Sequence, residues 1–147
     1  AFHPGDILFG KLRPYLAKSW LADKDGTALG DIHVYKPSPS TNPRFLAHYI
    51  QSPEFVGLAN AFSTGTKMPR IEWFKISQFP VPYPSPIEQH DIADEIDRET
   101  AEIDSMLSDI TKLRDLLAER RAALISAAVT GQIDIPVSPT HKDKAHA

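Results

Sequence analysis

Residues 85–131 read SPIEQHDIADEIDRETAEIDSMLSDITKLRDLLAERRAALISAAVTG, and this stretch decides the architecture. It opens on Ser85, Pro86, Ile87 and Glu88: a serine able to cap a helix, proline at the first helical position, and a glutamate placed to return the capping bond. No glycine follows until Gly131, a residue suited to a left-handed C-terminal cap. The spacing predicts one helix of about 45 residues, roughly 68 Å at 1.5 Å per residue. Acidic side chains such as Glu88, Asp91, Asp94 and Glu95 crowd its first half, whereas Lys112, Arg114, Arg120 and Arg121 fall in the second, both in the sense the helix dipole favours.

Within this helix Ile96, Ile103, Ile110, Leu117 and Leu124 recur every seventh residue, and Ile92, Met106 and Leu113 occupy the second row of the same repeat. That is a coiled-coil seam. Glu99 and Arg120 interrupt the second row and Leu107 broadens the stripe, so an antiparallel or heterologous helix partner suits it better than a parallel copy. A single small domain cannot cover so long an apolar stripe, and an uncovered one promotes aggregation.

Upstream the pattern changes. Ten of the thirteen prolines precede residue 85, and none lies between Ile87 and Ile135. The segments Gly5-Asp-Ile-Leu-Phe and Asp31-Ile-His-Val-Tyr have the apolar or alternating character of strands. Asn42-Pro43 and Ser52-Pro53 each set a capping side chain before a first-turn proline and predict two short helices, the second with Phe55, Leu58, Ala59 and Phe62 on one face. Phe79-Pro-Val-Pro-Tyr-Pro forbids a central strand and suits a stiff extended joint. The expected fold is therefore α+β, a small mixed domain over 1–85 and one long coiled-coil helix over 86–131, with a polar tail over 132–147. The chain begins at Ala1 and runs at once into a strand-like segment, which reads as a piece of something longer.

Composition bounds the function classes. With 147 residues, 41% hydrophobic and 24% charged, the chain holds one domain with a modest core. It has no cysteine, so neither disulfides nor thiolate metal sites can form, and a cytoplasmic setting is expected. No apolar run approaches the eighteen residues a membrane span needs. The net charge of −3 hides an asymmetry: residues 1–85 carry nine basic against six acidic side chains, the remainder seven against thirteen. The basic part is the one able to face phosphate.

No catalytic constellation emerges. Gly5 to Lys11 satisfies G-x-x-x-x-G-K, but Leu12 replaces the serine or threonine that would hold magnesium, and Ile7, Leu8 and Phe9 form a buried strand rather than a loop that wraps phosphate. The six histidines lack metal-ligand spacing, only His141 and His146 lying close together. Most carboxylates belong to the solvated faces of the long helix, and Asp23-Lys24-Asp25-Gly26 reads as a turn. The candidates for holding DNA are Lys11, Arg13 and Lys18, with Tyr15 and Trp20 between them, and the loop Ser63–Arg70. Tyr15 and Trp20 fit either base stacking or the core of a small domain. Lys67 and Arg70 stand beside glycine and proline in a polar loop that presents side chains outward, although Arg70 can also pair locally.

Taken together, Gly5-Asp-Ile-Leu-Phe-Gly-Lys-Leu-Arg-Pro-Tyr15, Gly65-Thr-Lys-Met-Pro-Arg-Ile71, Pro80-Val-Pro-Tyr-Pro-Ser-Pro86 with Glu88-Gln89, and Leu124-Ile-Ser-Ala-Ala-Val-Thr-Gly-Gln-Ile-Asp134 resemble the specificity subunits of type I restriction-modification enzymes. The resemblance covers roughly residues 5–135, and by it the Gly65–Ile71 loop corresponds to a family motif near the end of the recognition domain, which implies DNA contact by Thr66, Lys67 and Arg70. It implies an incomplete DNA target-recognition domain joined to a spacer helix that packs antiparallel against its counterpart from a second recognition half. It also implies docking of DNA methyltransferase subunits along the helix and assembly with restriction/translocase subunits on double-stranded DNA. S-adenosylmethionine, ATP and magnesium would then belong to the partner subunits, and this chain would be non-catalytic. The alternative is a helical assembly module that does not bind DNA.

Overall fold

The structure, a computed structural model, describes residues 1–133. All but the first two residues of the expected 132–147 tail, including His141 and His146, lie outside the described residues. The architecture is α+β. Strand β1 (Ile7–Gly10) is the centre of a three-stranded antiparallel sheet, flanked by β2 (Ser19–Leu21) and β3 (Ile32–Tyr35) in the order β2-β1-β3. Helices α1 (Pro43–Gln51), α2 (Pro53–Ala61), α3 (Trp73–Ile76) and α4 (Pro86–Val129) follow. The first compact unit is Ala1–Arg98, so the opening turns of α4 belong with it, and the second begins at Glu99.

The continuous apolar run of β1 is explained by burial on both sides of the sheet. Ile7 and Phe9 are fully buried on one face against Ala47 and Ile50 of α1, Phe55 and Ala59 of α2, and Ile71 and Ile76. Leu8, one residue out of phase, joins Phe2 and Ala22 on the other. Aromatic edges organise the first cluster: Phe55 meets Phe9, Tyr49 and Phe79 with ring centroids 5.4, 5.6 and 5.7 Å apart, all near perpendicular. Strand β2, the one-turn 3-10 helix Pro14–Leu16 and α3 were not foreseen from the sequence.

The predicted caps form. Asn42 Oδ1 accepts from the amides of Arg44 (2.9 Å) and Phe45 (3.3 Å), and Ser52 Oγ from Phe55 N (3.2 Å). At α4 the amide of Ser85 donates to Glu88 Oε2 at 2.8 Å while Glu88 N donates to Ser85 Oγ at 3.3 Å, the reciprocal pair of a capping box. The helix stops where Gly131 takes φ 71°: Gln132 N donates to Ala127 O (2.8 Å) and Gly131 N to Ala128 O (3.3 Å), closing a Schellman motif.

Candidate functional site

The two stretches that hold the candidate DNA-binding side chains are one structural element. Lys11 leaves β1 and is pinned opposite the start of β3, its amide donating to Asp31 O at 2.9 Å. The loop 63–71 then adds along it: Arg13 N donates to Pro69 O (2.7 Å) and Ile71 N to Lys11 O (3.1 Å), with Leu12 bridged to Arg70. Thr64 and Arg70 exchange both backbone hydrogen bonds at 2.9 Å, closing the loop on itself. Gly65 makes the turn possible. Its φ is 106°, and a Cβ there would sit 3.2 Å from Met68 O. Behind this platform His33 is buried, its Nε2–H donating to Ile71 O at 3.2 Å; burial holds its pKa below the ordinary 6.5, partly opposed by that bond.

The six candidates divide by what their side chains do. Lys11 Nζ donates to Gly30 O at 2.8 Å, and the Arg70 guanidinium pairs with Asp31 through Nη2 and Oδ1. Both point back into the segment that leads into β3. Arg13, Lys18, Thr66 and Lys67 are exposed, and among the described residues their side chains make no hydrogen bond or ion pair. Arg13 and Ala17 both adopt left-handed backbone, at φ 52° and 49°, on either side of the 3-10 turn. That conformation is uncommon for residues with a Cβ and concentrates where a loop is held for use. The turn leaves Tyr15 half exposed, so it is not a core aromatic. Trp20 sits between the two sequence readings: it packs edge-on against Phe2 with ring centroids 5.6 Å apart, and Lys24 Nζ lies 5.9 Å from its ring. Lys18 and Asp31 also border an open groove of about 540 Å³ floored by Leu8, Leu12, Trp20 and Ile32.

In the sequence Asp31 is legible only as the first residue of the strand-like segment Asp31-Ile-His-Val-Tyr. The signal for its pairing lies in the register between β1 and β3: Gly10 opposite Ile32 sets Lys11 beside Asp31.

The seam residues fall in both units. In the first, Ile92 and Ile96 border an apolar groove of about 250 Å³ with Phe45, Tyr49, Pro82 and Pro84. In the second, Ile103, Met106, Ile110, Leu113, Leu117 and Leu124 are 51–62% exposed. Among the described residues no group of three or more histidine, aspartate or glutamate side chains could hold a metal ion, and no helix is long and apolar enough to cross a membrane.

No protein-family model matches the chain. Two curated proteins do. It is 26% identical over 132 residues to the type I restriction enzyme EcoDI specificity subunit of Escherichia coli, covering 90% of this chain and 29% of that protein. It is 26% identical over 106 residues to the type I restriction enzyme StySPI specificity subunit of Salmonella potsdam, covering 72% of this chain and 23% of that one. Over most of its length the chain is therefore similar to type I restriction enzyme specificity subunits, of which it spans less than a third.

Proposed function

We propose that this chain is a DNA-recognition and docking part of a type I restriction-modification complex. The observation that carries the reading is the likeness to two specificity subunits, one of them over 90% of the chain. The exposed Arg13, Lys18, Thr66 and Lys67 on the joined loops approach double-stranded DNA, cations on the phosphates and neighbouring polar groups toward base edges. The apolar face of α4 from Ile103 to Leu124 receives a helix, supplied by a second recognition half or by methyltransferase subunits. Methylation and cleavage, with S-adenosylmethionine, ATP and magnesium, belong to the methyltransferase and restriction/translocase partners in the cytoplasm, and this chain contributes no catalytic group. The test is binding of the chain to duplex DNA, alone and with methyltransferase subunits. Affinity that falls as salt rises supports the reading, and affinity indifferent to salt removes phosphate contact from it.

A second reading is favoured by one observation, the exposure of six seam residues. It makes the chain a helical assembly module without DNA contact. Stable complexes with the protein subunits, combined with no duplex binding at any salt concentration, would select it.

A further inference from the structure

The platform holds more positive charge than it presents. Lys11 Nζ donates to the Gly30 carbonyl and Arg70 pairs with the Asp31 carboxylate, whereas Arg13, Lys18 and Lys67 have no such side-chain partner among the described residues. We infer that Asp31 withholds Arg70 from phosphate, so that the sequence-independent attraction of the site for DNA is set by Arg13, Lys18 and Lys67. The inference rests on the DNA reading above and assigns within it a positioning residue that no motif singles out.

An exposed ion pair is ordinarily weak, because two long side chains lose freedom to meet in high dielectric. Here the backbone has already done most of the ordering. Asp31 is fixed by the hydrogen bond from Lys11 N to its carbonyl oxygen, and Arg70 by its two bonds with Thr64, with Leu12 bridged alongside. Arg70 Nε is buried with no acceptor, so the guanidinium lies against the protein on that side and gives Nη2 to Asp31. Arg70 is thus paired by a short carboxylate that needs little reorganisation, on a loop whose turn is set by Gly65. Phosphate attraction is the part of DNA binding that carries no sequence information. Neutralising one arginine lowers binding to every duplex alike and leaves discrimination to the groups that reach base edges. A free arginine at position 70 would raise affinity everywhere.

The test is the salt dependence of affinity for a 30-bp duplex of arbitrary sequence, followed by fluorescence anisotropy on the full chain. Asp31→Asn is expected to steepen the slope of log K against log salt by about 0.9, one added phosphate contact. Arg70→Gln is expected to leave the slope unchanged, and Asp31→Asn combined with Arg70→Gln to abolish the gain, since the two substitutions act on one interaction. Asp31→Ser serves as a second release variant should Asp31→Asn fail to fold, judged by its circular dichroism. A slope shallower by about 0.9 in Arg70→Gln alone overturns the inference, because Arg70 would already touch phosphate. Persistence of the Asp31→Asn gain in the double variant also overturns it, as simple removal of a repelling charge. Absence of duplex binding by the unaltered chain is a different failure, that of the DNA reading on which the inference stands.

Discussion

The side-chain carbonyl of Gln89 accepts the backbone N–H of Asn42 at 2.8 Å, tying the first turns of α4 to the N-cap of α1. Gln89 is completely buried, and its amide nitrogen donates to Pro84 O at 2.9 Å, so one side chain also anchors the extended joint before the helix. Arg44 continues the junction with a fork to Asp94 (2.6 Å) and Asp97 (2.7 Å), and His48 reaches Asp97 at 2.8 Å. The start of the long helix is therefore part of the first unit's own packing and not an appended segment.

Replacing Gln89 by leucine keeps the volume and removes the hydrogen bonds. The orphaned Asn42 amide and Pro84 carbonyl are expected to cost about 1–3 kcal/mol each when left without water. Urea unfolding followed by Trp20 and Trp73 fluorescence, both residues lying in the first unit, reads this as a lower midpoint at unchanged slope. An unaltered midpoint would mean that the junction does not stabilise the unit.

Stability should fall on acidification in two windows. His33 has its pKa lowered by burial, so the unfolded chain takes up its proton first, and the stability it contributes is present above 6.5 and is lost as pH falls below that value through its folded pKa. The hydrogen bond from Arg44 holds Asp97 below 3.8, so its contribution is present above 3.8 and is lost as pH falls through the still lower folded value. Thermal melts between pH 7.5 and 3 test both, with His33→Gln flattening the first window and Asp97→Asn the second. Because Asp97 is well exposed, its share is about 1 kcal/mol or less.

Gly65→Ala should strain the 63–71 loop. A left-handed φ and a 3.2 Å approach to Met68 O together are expected to cost about 1–3 kcal/mol. If the loop presents Lys67, duplex affinity weakens as well. Retained stability and affinity would show that the loop tolerates another turn.

Ile103→Asp changes a side chain that is 53% exposed, so the melting of the isolated chain should move by no more than about 0.5 kcal/mol. In a complex that covers the seam it buries an unpaired charge, and association with methyltransferase subunits or a second helix should be lost. Sedimentation of the mixed proteins distinguishes the two, and an unaltered assembly state removes the seam from docking.

The elements legible in the sequence are those written in local chemistry. The Ser85–Glu88 box, the Gly131 stop, the caps at Asn42 and Ser52 and the apolar run of β1 each draw their signal from neighbouring residues. What escaped is short or fixed at a distance. Strand β2 is three residues long and exists through its register with β1, Leu8 facing Trp20. The one turn of α3 has no side-chain cap, and its Ile76 belongs to the core. At the candidate site, the sequence names the basic residues but not which of them pair within the chain and which stay exposed. Arg70 and Asp31 lie 39 residues apart, and the pairing of β1 with β3 that sets Lys11 beside Asp31, together with the loop added along Lys11, brings them together. Gln89 was visible as part of a motif, but its burial follows from the seating of α4 on α1, which periodicity does not encode.

Presentation of Arg13, Lys18 and Lys67 to DNA by the joined loops is read from the salt dependence of duplex binding for the chain and for its Arg13→Ala, Lys18→Ala, Lys67→Ala triple variant. Three phosphate contacts give a slope difference of about 2.7, or roughly forty-fold in affinity between about 50 and 200 mM salt. A triple variant that binds with the slope of the unaltered chain would contradict the account.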